Sequence, residues 1–455
     1  MTAIGWLIGG AAFVVALIKG RKSFLSVIPV LLLFSLIMPF LTRYNPESLK
    51  MVQPIVKLGI LGVSVVLWLF RSKLFGSPSK NKDIRKYLFV FVMSLIVFLI
   101  RCLVEYVNGE QVGTLVEYFQ VFGFPYIFLV FIVYDEVNHL KWLSPFLFLL
   151  LVTGIIEAIY AIVQYFIGPY GLLALGMDIS YGVEEFHFLI DEITGETTFR
   201  VFSTLSNHYD LSCYLTITIF AAVLLYSLDK LKTSFFVCAI VIMSFALLAT
   251  QNTTSMLILI LTILLWLWLN NRDEAKRLKS FFVIIRNLII VGAIGIILVF
   301  SQEQFRDRVL SSFGIGEAHG SSMNTRIFYL YGGIASFVAN PMGYGFDDSK
   351  FPFPVSRDIY LLNLLVMVGI PVFIFYICIY IYPIVHGWKY LSLELIQKNP
   401  LRTVYFLLIG WVVSSLAIGV LSNSQTTQAS PSNFLFWSAV GVMYKFPKLK
   451  SIPDN

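Results

Sequence analysis

Residues 145–168 read PFLFLLLVTGIIEAIYAIVQYFIG, an apolar run interrupted by a single charge, Glu157. About 20 apolar residues suffice for a helix to cross the hydrocarbon core of a bilayer. This run is therefore a membrane span. A carboxylate near the middle of a span is costly, so Glu157 is a functional candidate from the outset.

The rest of the chain repeats the pattern. Of 455 residues 58% are hydrophobic and 13% charged, with a mean hydropathy of +0.82. Soluble domains carry about a quarter charged residues. The balance excludes an ordinary soluble enzyme, a disordered chain and a disulfide scaffold. The four cysteines lie in or beside apolar runs and make no CxxC or Cys/His cluster, so they read as small hydrophobes rather than metal ligands. The opening run, MTAIGWLIGGAAFVVALIKGRK, has no charge ahead of its apolar stretch and reads as a first span, not a cleavable signal.

Thirteen apolar runs are candidate spans, several of them at the short end: 3–18, 24–42, 54–70, 87–104, 119–134, 145–168, 209–227, 235–249, 256–270, 281–300, 358–385, 404–421 and 434–444. The expected fold is an all-α, polytopic integral membrane domain over 1–455, with about 12–14 transmembrane helices. Alternate loops collect 22 Lys and Arg on one side against 8 on the other, which assigns the richer side to the cytoplasm. The C-terminus is then cytoplasmic and the N-terminus outside. The net charge of +7 reflects this topology and does not imply nucleic-acid binding. Lys57 and Arg286 lie close to span ends, where their long side chains are expected to reach the interface. Arg101, near the outer end of its span, is placed either to reach the zone of Glu157 or to pair with Glu105, one turn on.

Two long loops, 169–208 and 301–357, fall on the outer side and hold aromatic and aliphatic residues. Long loops in a compact architecture are usually functional. In the first, Arg200 precedes Ser203-Thr204-Leu205-Ser206-Asn207-His208-Tyr209-Asp210, whose capping residues predict a helix start. In the second, Phe305, Val309, Leu310 and Phe313 are spaced as an amphipathic surface helix, and Asn324-Thr325-Arg326 opens an apolar stretch too short to span. Asn340-Pro341 ends that stretch, Gly343-Tyr344-Gly345 marks a turn, and Arg357-Asp358 closes the loop. An arginine beside a helix N-terminus is suited to phosphate, so Arg200, Arg326 and Arg357 are the candidate anion ligands. His139 and His386 fall in cytoplasmic turns, whereas His187, His208 and His319 lie outside. His208, sharing a helix start with Asp210, is the histidine best placed for chemistry.

Taken in order, these motifs resemble the O-antigen polymerase/ligase family. The resemblance rests on Arg200 to His208 before YDLSCYLTITIF; on Asn252-Thr253-Thr254-Ser255 opening another span; on Arg326 followed by IFYLYGGIASFVA and Asn340-Pro341-Met-Gly343-Tyr-Gly345-Phe346; and on Arg357-Asp358 before a span containing Gly369. It covers about residues 200–375. Where many members, including the ligases, carry His-Asn, this chain carries Arg357-Asp358, which favours a polymerase.

The resemblance implies a GT-C-like membrane glycosyltransferase in a bacterial inner membrane, with its active face outward. The implied donor is a growing glycan on undecaprenyl pyrophosphate and the acceptor a lipid-linked repeat unit. Arg200, Arg326 and Arg357 would hold pyrophosphate, and Asp358, His208, Asp210 or Glu157 would supply the base. No metal and no cofactor is implied. Expected partners are undecaprenyl-pyrophosphate-linked glycans, membrane lipids, and flippase and chain-length regulator proteins. A ligase moving finished glycan, and a transporter or flippase for lipid-linked sugars, are the alternatives.

Overall fold

The computed structural model describes residues 2–20, 23–44, 52–71, 82–121, 123–137, 142–177, 188–190, 197–250, 252–270, 322–346, 350–355, 360–391, 402–419 and 431–448. They form a helical bundle. Its helices are α1 (Thr2–Gly20), α2 (Val27–Tyr44), α3 (Val52–Arg71), α4 (Lys82–Val107), α5 (Val112–Val121), α6 (Phe124–Glu136), α7 (Leu143–Ala174), α8 (His208–Ser227), α9 (Thr233–Ala249), α10 (Thr253–Asn270), α11 (Ser322–Ala339), α12 (Tyr360–Tyr390), α13 (Arg402–Gly419) and α14 (Pro431–Lys445). Among the described residues the strands are confined to a hairpin between α7 and α8, in which β1 (Phe188–Ile190) pairs antiparallel with β2 (Thr197–Phe199).

Twelve of the thirteen apolar runs coincide with helices; the run 281–300 lies outside the described residues. By length and composition, five helices among the described residues can cross a membrane: Val27–Tyr44, Lys82–Val107, Leu143–Ala174, His208–Ser227 and Leu361–Tyr390. A sixth arises if α5 and α6, bent by 43° about Gly123, are one span. The bend is local in origin: Gly123 has φ 71° and Pro125 follows in the first turn of α6.

α8 and α14 occupy the centre. α8 packs on α7, α9, α10, α13 and α14, and α14 also meets α2, α6 and α12. Neither needs a polar stripe, because both are covered on nearly every side. Ring contacts set the depth of the antiparallel neighbours: Phe220 of α8 lies 5.8 Å from Trp411 of α13, which lies 5.4 Å from Phe436 of α14.

Two long helices are broken at glycine. Gly168 in α7 has φ 70°, ψ 177°, and Pro169 follows. Gly369 in α12 has φ 73°, ψ 174°, and Pro371 lies two residues on. At the second break the turn after α11 supplies the missing hydrogen bonds. Met367 O would otherwise face Pro371, which has no N–H; it accepts from Gly345 N (3.0 Å) instead. Val366 O accepts from Tyr344 N (3.0 Å), and Ile370 N donates to Pro341 O (2.9 Å). The backbone is thereby satisfied where it leaves the helix, as an apolar surrounding demands.

Several sequence expectations change here. His386 does not lie in a turn: α12 runs on to Tyr390, and the buried imidazole stacks on Tyr444 at 4.1 Å. Cys238 is exposed on α9, whereas Cys102 and Cys213 are buried. The proposed surface helix around Phe305–Phe313 falls outside the described residues.

Candidate functional site

Glu157 and Gln164 stand two turns apart on one face of α7, and both are buried. Together they hold the segment that leads into α8. Glu157 Oε2 accepts from Ser203 Oγ (2.6 Å) and Thr204 N (3.2 Å), and its Oε1 accepts from Thr204 Oγ1 (2.7 Å). Gln164 Oε1 accepts from Ser203 N (2.7 Å) and Phe202 N (3.2 Å), while its Nε2 donates to Ser203 O (3.0 Å). Ser203 adopts φ 55°, a left-handed conformation that a non-glycine residue keeps only when its surroundings impose it. Six hydrogen bonds from two side chains impose it here.

The same segment is gripped from the opposite side by Arg43, at the end of α2. Its Nη2 donates to Ser206 O (2.6 Å) and Leu205 O (3.3 Å), and its guanidinium lies 3.6 Å from the centroid of the Phe202 ring. Arg43 is fully buried. Arg200, 9% exposed, donates from Nη1 to His208 Nε2 (2.9 Å). A guanidinium cannot accept, so a neutral His208 carries its proton on Nδ1.

α8 then begins. Asn207 Oδ1 accepts from Asp210 N (2.8 Å), the capping geometry that the sequence predicts. Beside it, Asn252 caps α10 through Thr254 N (3.1 Å) and donates to Ser212 Oγ (2.6 Å), which also meets Ser255 Oγ (2.9 Å). Lys57, in the second turn of α3, is 3% exposed and interacts electrostatically with Asp210. The expectation that Lys57 reaches a span end is corrected: α3 packs on α2 and α6, which covers this face of the helix.

A layer of hydroxyls adjoins the α8 start. Ser415 and Ser432 stand one turn above the Trp411–Phe436 contact, and Thr216 one turn above Phe220. Ser414, Ser415 and Ser432 are at most 1% exposed, and none of their Oγ atoms has a hydrogen-bond partner among the described residues.

A second polar cluster holds the 341–345 turn. Arg101 Nη2 pairs with Glu105 Oε1 (2.9 Å), as their spacing predicts. Arg101 also donates to Met342 O and Gly343 O (both 3.3 Å). The Glu105 carboxylate lies so close to Gly345 that a Cβ there would fall 2.3 Å from Oε2.

Four predicted site residues, Glu157, Arg200, His208 and Asp210, thus gather around the start of α8. Arg326 lies near the start of α11, with its side chain outside the described residues, as are Arg357 and Asp358. The geometry adds Arg43, Lys57 and Gln164. Lys57 carried a readable signal, a lone cation inside an apolar helix. Gln164 carried a weaker one, its position seven residues after Glu157. Chemically, three buried basic side chains beside a helix N-terminus favour an anion. No protein-family model and no curated protein matches this chain.

Proposed function

We propose that this chain is a bacterial surface polysaccharide polymerase of the O-antigen polymerase type. It would transfer a growing glycan from undecaprenyl pyrophosphate onto a lipid-linked repeat unit at the outer face of the membrane. The observation that carries the reading is the convergence of Arg43, Lys57 and Arg200, all buried, on the start of α8. The reading takes the thirteen apolar runs as spans in a GT-C-like arrangement, with the C-terminus in the cytoplasm.

In the reaction, an acceptor hydroxyl oxygen bonds to the anomeric carbon of the donor glycan. The bond to the lipid pyrophosphate breaks, its electron pair leaves with the pyrophosphate, and the hydroxyl proton passes to a base. Charge grows on the leaving group, and preorganised cations stabilise it most in the transition state. Arg200, Arg326 and Arg357 are the proposed ligands, with Lys57 adding to the field. Glu157 and His208 Nε2 are engaged in holding contacts, so Asp358 and then Asp210 are the preferred bases. No metal is required.

A second reading, a transporter for lipid-linked sugars, draws support from the broken helices α7 and α12, a feature of transporter binding sites. The lipid-linked glycan profile of cells lacking the protein, and of cells carrying Arg200→Ala or Arg326→Ala, separates the readings. Single repeat units accumulating on the lipid at the outer face, with long chains lost, support the polymerase. The same units held at the inner face identify a transporter. Long chains retained on the lipid identify a ligase, and an unchanged profile overturns all three.

A further inference from the structure

Lys82, Arg85, Lys86, Phe89 and Val90 occupy positions i, i+3, i+4, i+7 and i+8 of α4, a single helix face. With Tyr382 of α12 they line a groove of about 510 Å³. Its composition changes along its length. The three cations fill the first turns, and the two apolar side chains follow within ~12 Å at 1.5 Å of rise per residue. Lys82, Lys86 and Phe89 are exposed, Phe89 by 66%, so the groove opens to the outside of the bundle. Asp83, beside Lys82, accepts from Tyr390 Oη (2.5 Å) and is thereby turned to the end of α12.

This groove lies away from the Arg200 cluster. The Tyr382 ring lies 6.0 Å from that of Tyr87, which stacks at 5.1 Å on Tyr444, at the far end of α14 from Ser432. It is also the end that the Lys and Arg distribution assigns to the cytoplasm, where anionic lipids attract basic residues.

We propose that the groove binds one anionic phospholipid, its phosphate diester held by Lys82, Arg85 and Lys86 and its first acyl segments laid along Phe89, Val90 and Tyr382. A free phosphate would satisfy the cations and leave the apolar wall unused. An uncharged lipid would do the reverse. Only an amphiphile with an anionic head matches both parts in this order. The site is independent of the reaction proposed at the other end of the bundle.

The test is thermal melting and native mass spectrometry of the purified full chain in neutral detergent. The added probes are phosphatidylglycerol, phosphatidylcholine or inorganic phosphate. Phosphatidylglycerol is expected to raise Tm and remain bound as one molecule, with neither other probe doing so. The Lys82→Gln/Arg85→Gln/Lys86→Gln variant should melt as the parent does in phosphatidylcholine and lose the phosphatidylglycerol increment, binding about fivefold more weakly per charge removed. Phe89→Ser should weaken retention while leaving the cations in place. Equal effects of the two lipids, a full effect of phosphate alone, or an undiminished increment in the triple variant would each overturn the proposal.

Discussion

Gly343 and Gly369 meet backbone to backbone. A Cβ on Gly343 would lie 2.5 Å from Gly369 N, and one on Gly369 would lie 2.3 Å from Met342 O, while both residues have positive φ. Side chains are thus excluded twice, by conformation and by space. Gly343→Ala and Gly369→Ala should each cost at least ~2 kcal/mol and lower Tm or the yield of folded protein. Gly62, with nothing within 4 Å of its added Cβ, is the control, and Gly62→Ala should be nearly neutral. A Gly369→Ala protein melting with the parent would refute the close approach.

Glu157 is a holding group with a graded set of replacements. Glu157→Ala strands the Thr204 hydroxyl and backbone N–H, while Ser203 Oγ keeps the Glu157 carbonyl as acceptor (2.8 Å), and it should cost about 2–3 kcal/mol. Glu157→Gln keeps one oxygen for Ser203 Oγ and Thr204 N, while the Thr204 hydroxyl can turn to accept from the new amide. Its cost should be nearer ~1 kcal/mol. Thermal unfolding in detergent measures the order; equal losses in the two variants would contradict it.

Lys57 and Asp210 should behave as a unit. Removing one partner of a buried pair leaves the other uncompensated, which is worse than removing both. Lys57→Met and Asp210→Asn are each expected to destabilise the protein, and the double variant to recover part of the loss, with a coupling of about 1–3 kcal/mol. Additive losses in the double-mutant cycle would show that the two do not interact.

The hydroxyl layer yields a prediction of opposite sign. Ser414, Ser415 and Ser432 are buried with no hydrogen-bond partner among the described residues, so replacing any of them by Ala should leave stability unchanged or raise it by up to ~1 kcal/mol. Ser212→Ala, which removes contacts to Asn252 and Ser255, should lower it. A drop in Tm for Ser432→Ala would show that its hydroxyl has a partner in the folded protein.

The helices were legible because hydrophobic length is written directly in a membrane chain: the run around Glu157 alone announces α7. The cap at Asn207 and the pair Arg101–Glu105 were legible because both are local, three or four residues apart. What could not be read were pairings across the bundle. Arg43 lies 163 residues from the Ser206 carbonyl it binds, and nothing at either position names the other. Lys57 was misassigned because distance from a span end says nothing about which neighbours cover that end. The breaks at Gly168 and Gly369 went unread, although each is a glycine close to a proline, and the partner that repairs the second one is not encoded nearby.

That repair limits how the turn after α11 can move. Tyr344 and Gly345 are bonded into the gap in α12, so residues 341–345 are stitched to it. Lifting the stitch would expose Val366 O, Met367 O and Ile370 N at once, each costing several kcal/mol in an apolar setting. Residues 341–345 and the break at Gly369 therefore move together, as one unit.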